Sequence, residues 1–275
     1  VYVDGRYKIL TVDASDNYID LDLAYSAPDT ATTTNVAGAL ATIQLGLDLA
    51  VAGDTLKLCH GTYDVAVALT EDTNDGTTEE MRWILGVDST TGEKVSGTRP
   101  VLLASADIAG IIVVTAKGDY TRWESIYFDG ADLTDTCLDG DDSLWAVEIV
   151  DCIIEDANTG IAYWTSNYGK FTNNDIRSCA IAGAVSSSSG NGGAWVGNGI
   201  HDNAIGLNIV AAHADIQHNR IYGNTGDGLL IAATGDNSVI RNNTIENNDG
   251  DGADIADQAY GCYVSRNTSS GNGAY

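Results

Sequence analysis

The feature that most restricts what this chain can fold into is a recurring asparagine. Seventeen of its 20 asparagines follow residue 150, so the second half carries a pattern that the first half lacks. Phe171-Thr-Asn-Asn174-Asp-Ile176, Trp195-Val-Gly-Asn198-Gly-Ile200, Ile216-Gln-His-Asn219-Arg-Ile221, Ile240-Arg-Asn-Asn243-Thr-Ile245 and Val264-Ser-Arg-Asn267-Thr-Ser269 share one template, apolar-x-x-Asn-x-apolar. The asparagines are 24, 21, 24 and 24 residues apart, which is the mark of an internal repeat. Asp151 before Ile153 and Glu124 before Ile126 extend the series upstream. A glycine follows eight or nine residues after the landmark, at Gly160, Gly183, Gly206, Gly228 and Gly252.

A unit of 21 to 27 residues holds two or three short strands and cannot bury its own apolar face, so units must stack. Each strand then pairs with its copy one coil along, at ~4.8 Å. This predicts an all-β chain: a single-stranded right-handed parallel β-helix solenoid over residues 31–275. The asparagine fits such a stack because its amide offers a donor and an acceptor to the same residue one coil away. Its column is therefore expected to be structural.

The 275 residues carry 13 Lys and Arg against 39 Asp and Glu, a formal charge of −26. Such a chain repels phosphate backbones, which excludes general nucleic-acid binding. No run approaches the ~20 apolar residues of a membrane span. Five cysteines without a CxxC spacing suggest buried thiols rather than a disulfide framework or a zinc site.

In the first half, Val36, Leu40, Ile43, Leu47 and Val51 recur at helical spacing, predicting a helix over about 35–52 with Thr34 or Asn35 at its start and Gly53 at its end. Gly53-Asp-Thr-Leu-Lys-Leu-Cys-His-Gly-Thr-Tyr63 follows as alternating strand and turn. An amphipathic helix leading into this run resembles the N-terminal cap and first coil of the pectin-lyase-like β-helix superfamily. The resemblance implies a capping helix over the open end of the core. It leaves function open among lyases, hydrolases, epimerases and non-catalytic spikes.

Residues 1–30 alternate on either side of Asp13-Ala-Ser-Asp16, predicting a β-hairpin that resembles linking elements of phage virion proteins. Residues 70–100 read as a long excursion, with Trp83-Ile-Leu-Gly as a strand inside it, and Ser186 to Gly193 as a second protruding loop. No C-terminal cap is evident, so a partner or further residues are expected to cover that end.

Three residues beyond each landmark stand Ile154, Arg177, His201, Tyr222 and Glu246, which alternation places outward. The polar four would span roughly 14 Å along the rod, the length of two to three sugar units. Arg177 could hold a polysaccharide while His201, Tyr222, Glu246 and the adjacent Asp202 moved protons. Trp164, in the aromatic turn Tyr163 to Tyr168, could stack on a sugar face. Asp249, Asp251 and Asp254 are the best-spaced carboxylates for structural calcium; no other cofactor is expected.

Enzyme signatures of the resembled superfamily are missing. The only prolines are Pro28 and Pro100, so there is no Arg-x-Pro-x-x-Arg, and neither Gly-His-Gly nor Asp-Pro-His occurs. The expectation is an extracellular or virion-surface β-helix that is structural or binds polysaccharide, with a homotrimer or a virion protein as further partner. The alternative is a polysaccharide lyase or glycoside hydrolase on the same face.

Overall fold

Strands of only three residues, such as Asp175–Arg177 and Gly199–His201, cannot persist alone, and each pairs in parallel with its counterpart one coil away. A computed structural model describes residues 8–13, 18–22, 34–36, 43–44, 46–48, 50–71, 75–88, 91–95, 97–114, 119–140, 146–162, 168–186 and 193–273. Three parallel sheets run the length of a rod. Sheet A stacks nine strands from Thr55–Cys59 to Tyr263–Ser265, and sheet B nine from Thr62–Val65 to Thr268–Ser270. Sheet C stacks eight, from Leu69–Glu71 to Ala253–Ile255. This is the parallel β-helix expected from the repeat.

In sheets A and B the middle residue of each three-residue strand before the last coil points inward. In sheet B, Phe128, Ile154, Ile176, Ile200, Ile221 and Ile245 lie in one register and are buried. In sheet A, Trp123, Ile149, Phe171, Trp195, Ile216 and Ile240 do the same, and the Phe171 and Trp195 rings stack at 4.0 Å. Each such side chain contributes about 1.5–3 kcal/mol through removal from water.

From Ser125 onward the corners from sheet A to sheet B use a left-handed residue followed by a buried or half-buried one. They include Asn173 (φ 55°) then Asn174, His218 (φ 58°) then Asn219, and Asn242 (φ 56°) then Asn243. The buried asparagines form the expected ladder. Asn219 Oδ1 accepts from the Asn198 amide N–H at 2.9 Å and from Asn198 Nδ2 at 3.0 Å, while Asn219 Nδ2 donates to Trp195 O at 2.8 Å and to Asn243 Oδ1 at 3.0 Å.

A second ladder lies at the corner from sheet B to C, where Asn203, Asn224, Asn248 and Asn272 repeat the same bonds. It explains the glycine landmark. A Cβ on Gly183, Gly206, Gly228 or Gly252 would stand 2.9, 2.9, 2.7 or 2.6 Å from the Nδ2 of Asn203, Asn224, Asn248 or Asn272. These glycines make room for a neighbour's amide rather than supply a left-handed turn.

The structure corrects the upstream phase. Cys152, not Asp151, holds the ladder position: its N–H donates to Asn174 Oδ1 at 2.9 Å, and Asp151 (φ 53°) is the left-handed residue before it. Ile154 therefore pairs with Ile176 and is fully buried, while Glu155 faces outward beside Arg177. One coil earlier the correction is two residues: Ile126, not Glu124, precedes the strand Tyr127–Asp129. Four of the five free cysteines are buried and Cys262 is half-buried.

At the N-terminal end, residues 43–44 and 46–48 are helical, and Ile43 and Leu47 are buried against the core. The Gln44 side chain completes the sheet edge, accepting from Thr70 N at 2.9 Å and donating to Thr70 O at 3.0 Å. Arg82 and Glu71 form a fully buried ion pair beneath it, and Arg82 also donates to Leu47 O at 3.3 Å. Burial lowers the Arg82 pKa to about 10.

Lys8–Asp13 and Tyr18–Asp22 pair antiparallel, and Thr34–Val36 joins as a third strand. Thr34 and Asn35 thus neither cap a helix nor does Val36 lie on its face; the β-branched pair follows the strand Tyr18–Asp22 instead. Arg82–Val87 is no strand within an excursion but a full member of sheet A, paired with Thr55–Cys59 and Thr121–Glu124. Among the described residues no helix is long and apolar enough to cross a membrane.

Before the asparagines begin, charges cross the coils. On sheet A, Arg122 bridges Glu124 and Glu148 at 2.7 Å each, Lys170 meets Glu148 at 2.7 Å, and Lys94 meets Glu124 at 2.7 Å and Asp151 at 3.0 Å. Burial would raise the Glu124 and Asp151 carboxyls, but the bonds from Arg122 and Lys94 to the first, and from Lys94, Ser125 and Arg99 to the second, hold both below their usual values.

Three outcomes follow. Asn219→Ala strands the Asn198 N–H and Trp195 carbonyl in a dry interior and lowers stability by about 2–4 kcal/mol in denaturant titration; Gly228→Ala costs about 1–3 kcal/mol through overpacking. Because the folded pKa values of Glu124 and Asp151 are depressed, their contribution is complete above the unfolded values, 4.5 and 3.8, and is lost as pH falls through the folded ones. Thermal melts should therefore show Lys94→Met less stable than the native chain at pH ~7, with the gap closing below pH ~4.

Candidate functional site

Outward residues of sheet B form two columns. The first runs Tyr127, Ile153, Asp175, Gly199, Arg220, Thr244, and the second Asp129, Glu155, Arg177, His201, Tyr222, Glu246. Neighbours in a column are one coil apart, ~4.8 Å, so residues more than 20 positions apart in sequence touch.

The contacts form one continuous network. Tyr127 donates its hydroxyl to Glu155, whose other oxygen accepts from Arg177 Nε; Arg177 Nη1 reaches Asp175. Asp175 Oδ1 lies 2.9 Å from His201 Nε2, and Asp202 Oδ2 lies 2.7 Å from His201 Nδ1. The imidazole is thereby held between two carboxylates, with Asp202 aimed by its left-handed corner (φ 56°). Its ring stacks on Tyr222 at 4.6 Å and 14°, Arg220 covers Tyr222 at 4.1 Å, and Arg220 Nη2 meets Glu246 Oε1 at 2.7 Å.

Electrostatics follow from these pairs. Burial would lower the Arg177 guanidinium, but Glu155 and Asp175 outweigh it and hold the pKa above its usual value. Burial first, then the bond to Glu155, push the Tyr127 phenol up. Asp156, at the next corner, is raised by burial and then by Glu155, Asp129 and Asp132.

Of the residues singled out in the sequence, Arg177, His201, Tyr222 and Glu246 share one column, and Asp202 joins them through His201. Trp164 lies outside the described residues. Asp249, Asp251 and Asp254 are not gathered for calcium: Asp254 belongs to the strand Ala253–Ile255, the Asp251 N–H donates to Asp227 Oδ1 at 2.8 Å, and no group of three or more His, Cys, Asp or Glu among the described residues is placed to hold a metal.

Sequence reasoning missed Glu155, Asp175, Tyr127 and Arg220. The first was lost to the one-residue slip at Asp151. The others occupy the column two residues earlier, which the same repeat arithmetic would have found. A separate cleft of about 490 Å³ lies between the His60 turn and residues 88–98, lined by His60, Asp88, Thr91, Lys94 and Thr98; Lys94 there is already engaged by Glu124 and Asp151.

The family described as "Right handed beta helix region" matches residues 135–275, just over half of the chain. No curated protein matches it. Among solved structures, the A-module of the Azotobacter vinelandii mannuronan C-5 epimerase AlgE6 shares 14% identity at a TM-score of 0.41, over 87% of this chain and 96% of that one. A mannuronic acid specific polysaccharide family 6 lyase from human gut microbiota shares 11% identity at a TM-score of 0.25, over 80% of this chain and 83% of that one. Likeness at this level carries no inference about activity.

Proposed function

Because the chain belongs to the right-handed β-helix family, with its coils in strict register, we propose that the sheet B face between Tyr127 and Glu246 is a polysaccharide-binding surface. The observation that carries this reading is the contiguous column of planar, hydrogen-bonding side chains, Glu155, Arg177, His201, Tyr222 and Glu246, at a spacing close to that of sugar units. Carboxylate oxygens offer acceptors to hydroxyls, the stacked His201 and Tyr222 rings offer a flat face, and the network already fixes their rotamers, so little side-chain freedom is lost on binding. A β-helix supplies the rigid, extended platform that a linear polymer requires.

A second reading rests on His201. An imidazole held by Asp175 and Asp202 and stacked on Tyr222 is arranged for proton transfer, which supports a lyase or hydrolase acting on the bound chain.

Binding is checked by calorimetry and affinity electrophoresis over a panel of polysaccharides. At least one should bind, and His201→Ala/Tyr222→Ala, confirmed folded by its melting curve, should bind at least about tenfold more weakly. No binding of any polymer by the native chain, or an unchanged affinity in the double variant, sinks the proposal. Catalysis is checked on the same panel through reducing ends and the ultraviolet absorbance of unsaturated products. Under the second reading Asp175→Asn lowers turnover by ~10²-fold or more; absence of product with every polymer that binds leaves the binding reading alone.

A further inference from the structure

We propose that the ligand of the sheet B face is an uncharged, hydroxyl-rich polysaccharide and that polyuronates are excluded from it. This rests on the polysaccharide-binding reading above and names the class of polymer.

Recognition of a uronate carboxylate needs a cation whose charge is not already answered by the protein. Neither guanidinium of the face is such a cation. Arg177 is engaged by Glu155 through Nε and by Asp175 through Nη1. Arg220 turns both Nε and Nη2 to Glu246 Oε1, at 2.9 and 2.7 Å, and lays its plane on Tyr222. The remaining nitrogens, Arg177 Nη2 and Arg220 Nη1, can donate to a neutral hydroxyl, but a uronate there would add a negative charge to a cation already paired with Glu155 and Asp175 or with Glu246.

Charge on the face is also unbalanced. Asp129, Glu155, Asp175, Asp202 and Glu246 set five carboxylates against the two guanidiniums, and a protonated His201 would still leave an excess of negative charge. The upward displacement of Asp156 by its burial and by Glu155, Asp129 and Asp132 marks the same potential at the end of the column. The whole chain, at −26, adds long-range repulsion toward a polyanion. Sugar hydroxyls, in contrast, donate to carboxylate oxygens at no electrostatic cost.

The test is calorimetric titration of the native chain with neutral polymers (a β-glucan, a galactomannan, a xylan) and with polyuronates (polygalacturonate, alginate), at low and physiological salt and with a chelator present. The proposal expects a neutral polymer to bind at least about tenfold more tightly than either polyuronate, and polyuronate affinity to rise, not fall, with salt as repulsion is screened. Glu155→Gln/Asp175→Asn, which releases Arg177, should gain polyuronate affinity; the salt dependence of the native chain decides the matter if that variant does not fold. Tighter binding of a polyuronate by the native chain, lost in His201→Ala/Tyr222→Ala, overturns the neutral class and leaves the polysaccharide reading standing. No binding of any polymer overturns both.

Discussion

The rod depends on amide groups that meet in a dry interior. Asn174, Asn198, Asn219 and Asn243 are each at most 2% exposed, and every one takes a backbone N–H from the coil before and gives its own Nδ2 to the coil after. A polar side chain buried without partners would destabilise the fold; here Asn198, Asn219 and Asn243 each make four side-chain hydrogen bonds and Asn174 three, and only a stack in register makes them. Strands of three residues would otherwise slide along one another. The ladder fixes which residue lies above which, and so fixes the outward columns as well.

Register is kept by different chemistry in the two halves. From Asn174 onward it is kept by neutral amides at two corners. Before that, Cys152 and Cys179 head the ladders with no side-chain amide, each giving only its backbone N–H to the asparagine of the next coil, and the coils are matched instead by Arg122, Lys170, Lys94 and Arg99 reaching carboxylates of neighbouring turns. The Glu71–Arg82 pair and the Gln44 bridge then close the first coil. The surface column of sheet B straddles the junction, with Glu155 on one side and His201 on the other.

Much of this was legible because a repeat prints its period directly. The Asn174 to Asn267 series gives the coil, and alternation around Ile176, Ile200, Ile221 and Ile245 gives the faces. The failure at residue 151 has a physical cause. Corner doublets such as Asn173-Asn174 contain one residue chosen for its backbone and one for its amide, and Asp151 resembles asparagine in chemistry while sharing only the backbone role. A shift of one residue in a strand exchanges core and surface, so Ile154 was placed outside and Glu155 was lost. The second ladder was hidden for the opposite reason: its visible sign was the glycine that accommodates it, one coil removed. Thr34–Val36 was misjudged because helical spacing of apolar residues does not register β-branching, and sheet pairing won.

The pairing of each glycine with an amide one coil later has a consequence for how such a rod changes over time. Gly228 accepts no side chain while Asn248 Nδ2, Gly252 O and Ile245 Cγ2 stand 2.7, 2.8 and 2.9 Å from where its Cβ would lie, so no single substitution elsewhere frees the position. A whole coil, in contrast, brings both halves of the fit with it. Duplication or deletion of complete turns is therefore the easy route of variation, which makes the length of the molecule freer to evolve than the composition of any one turn.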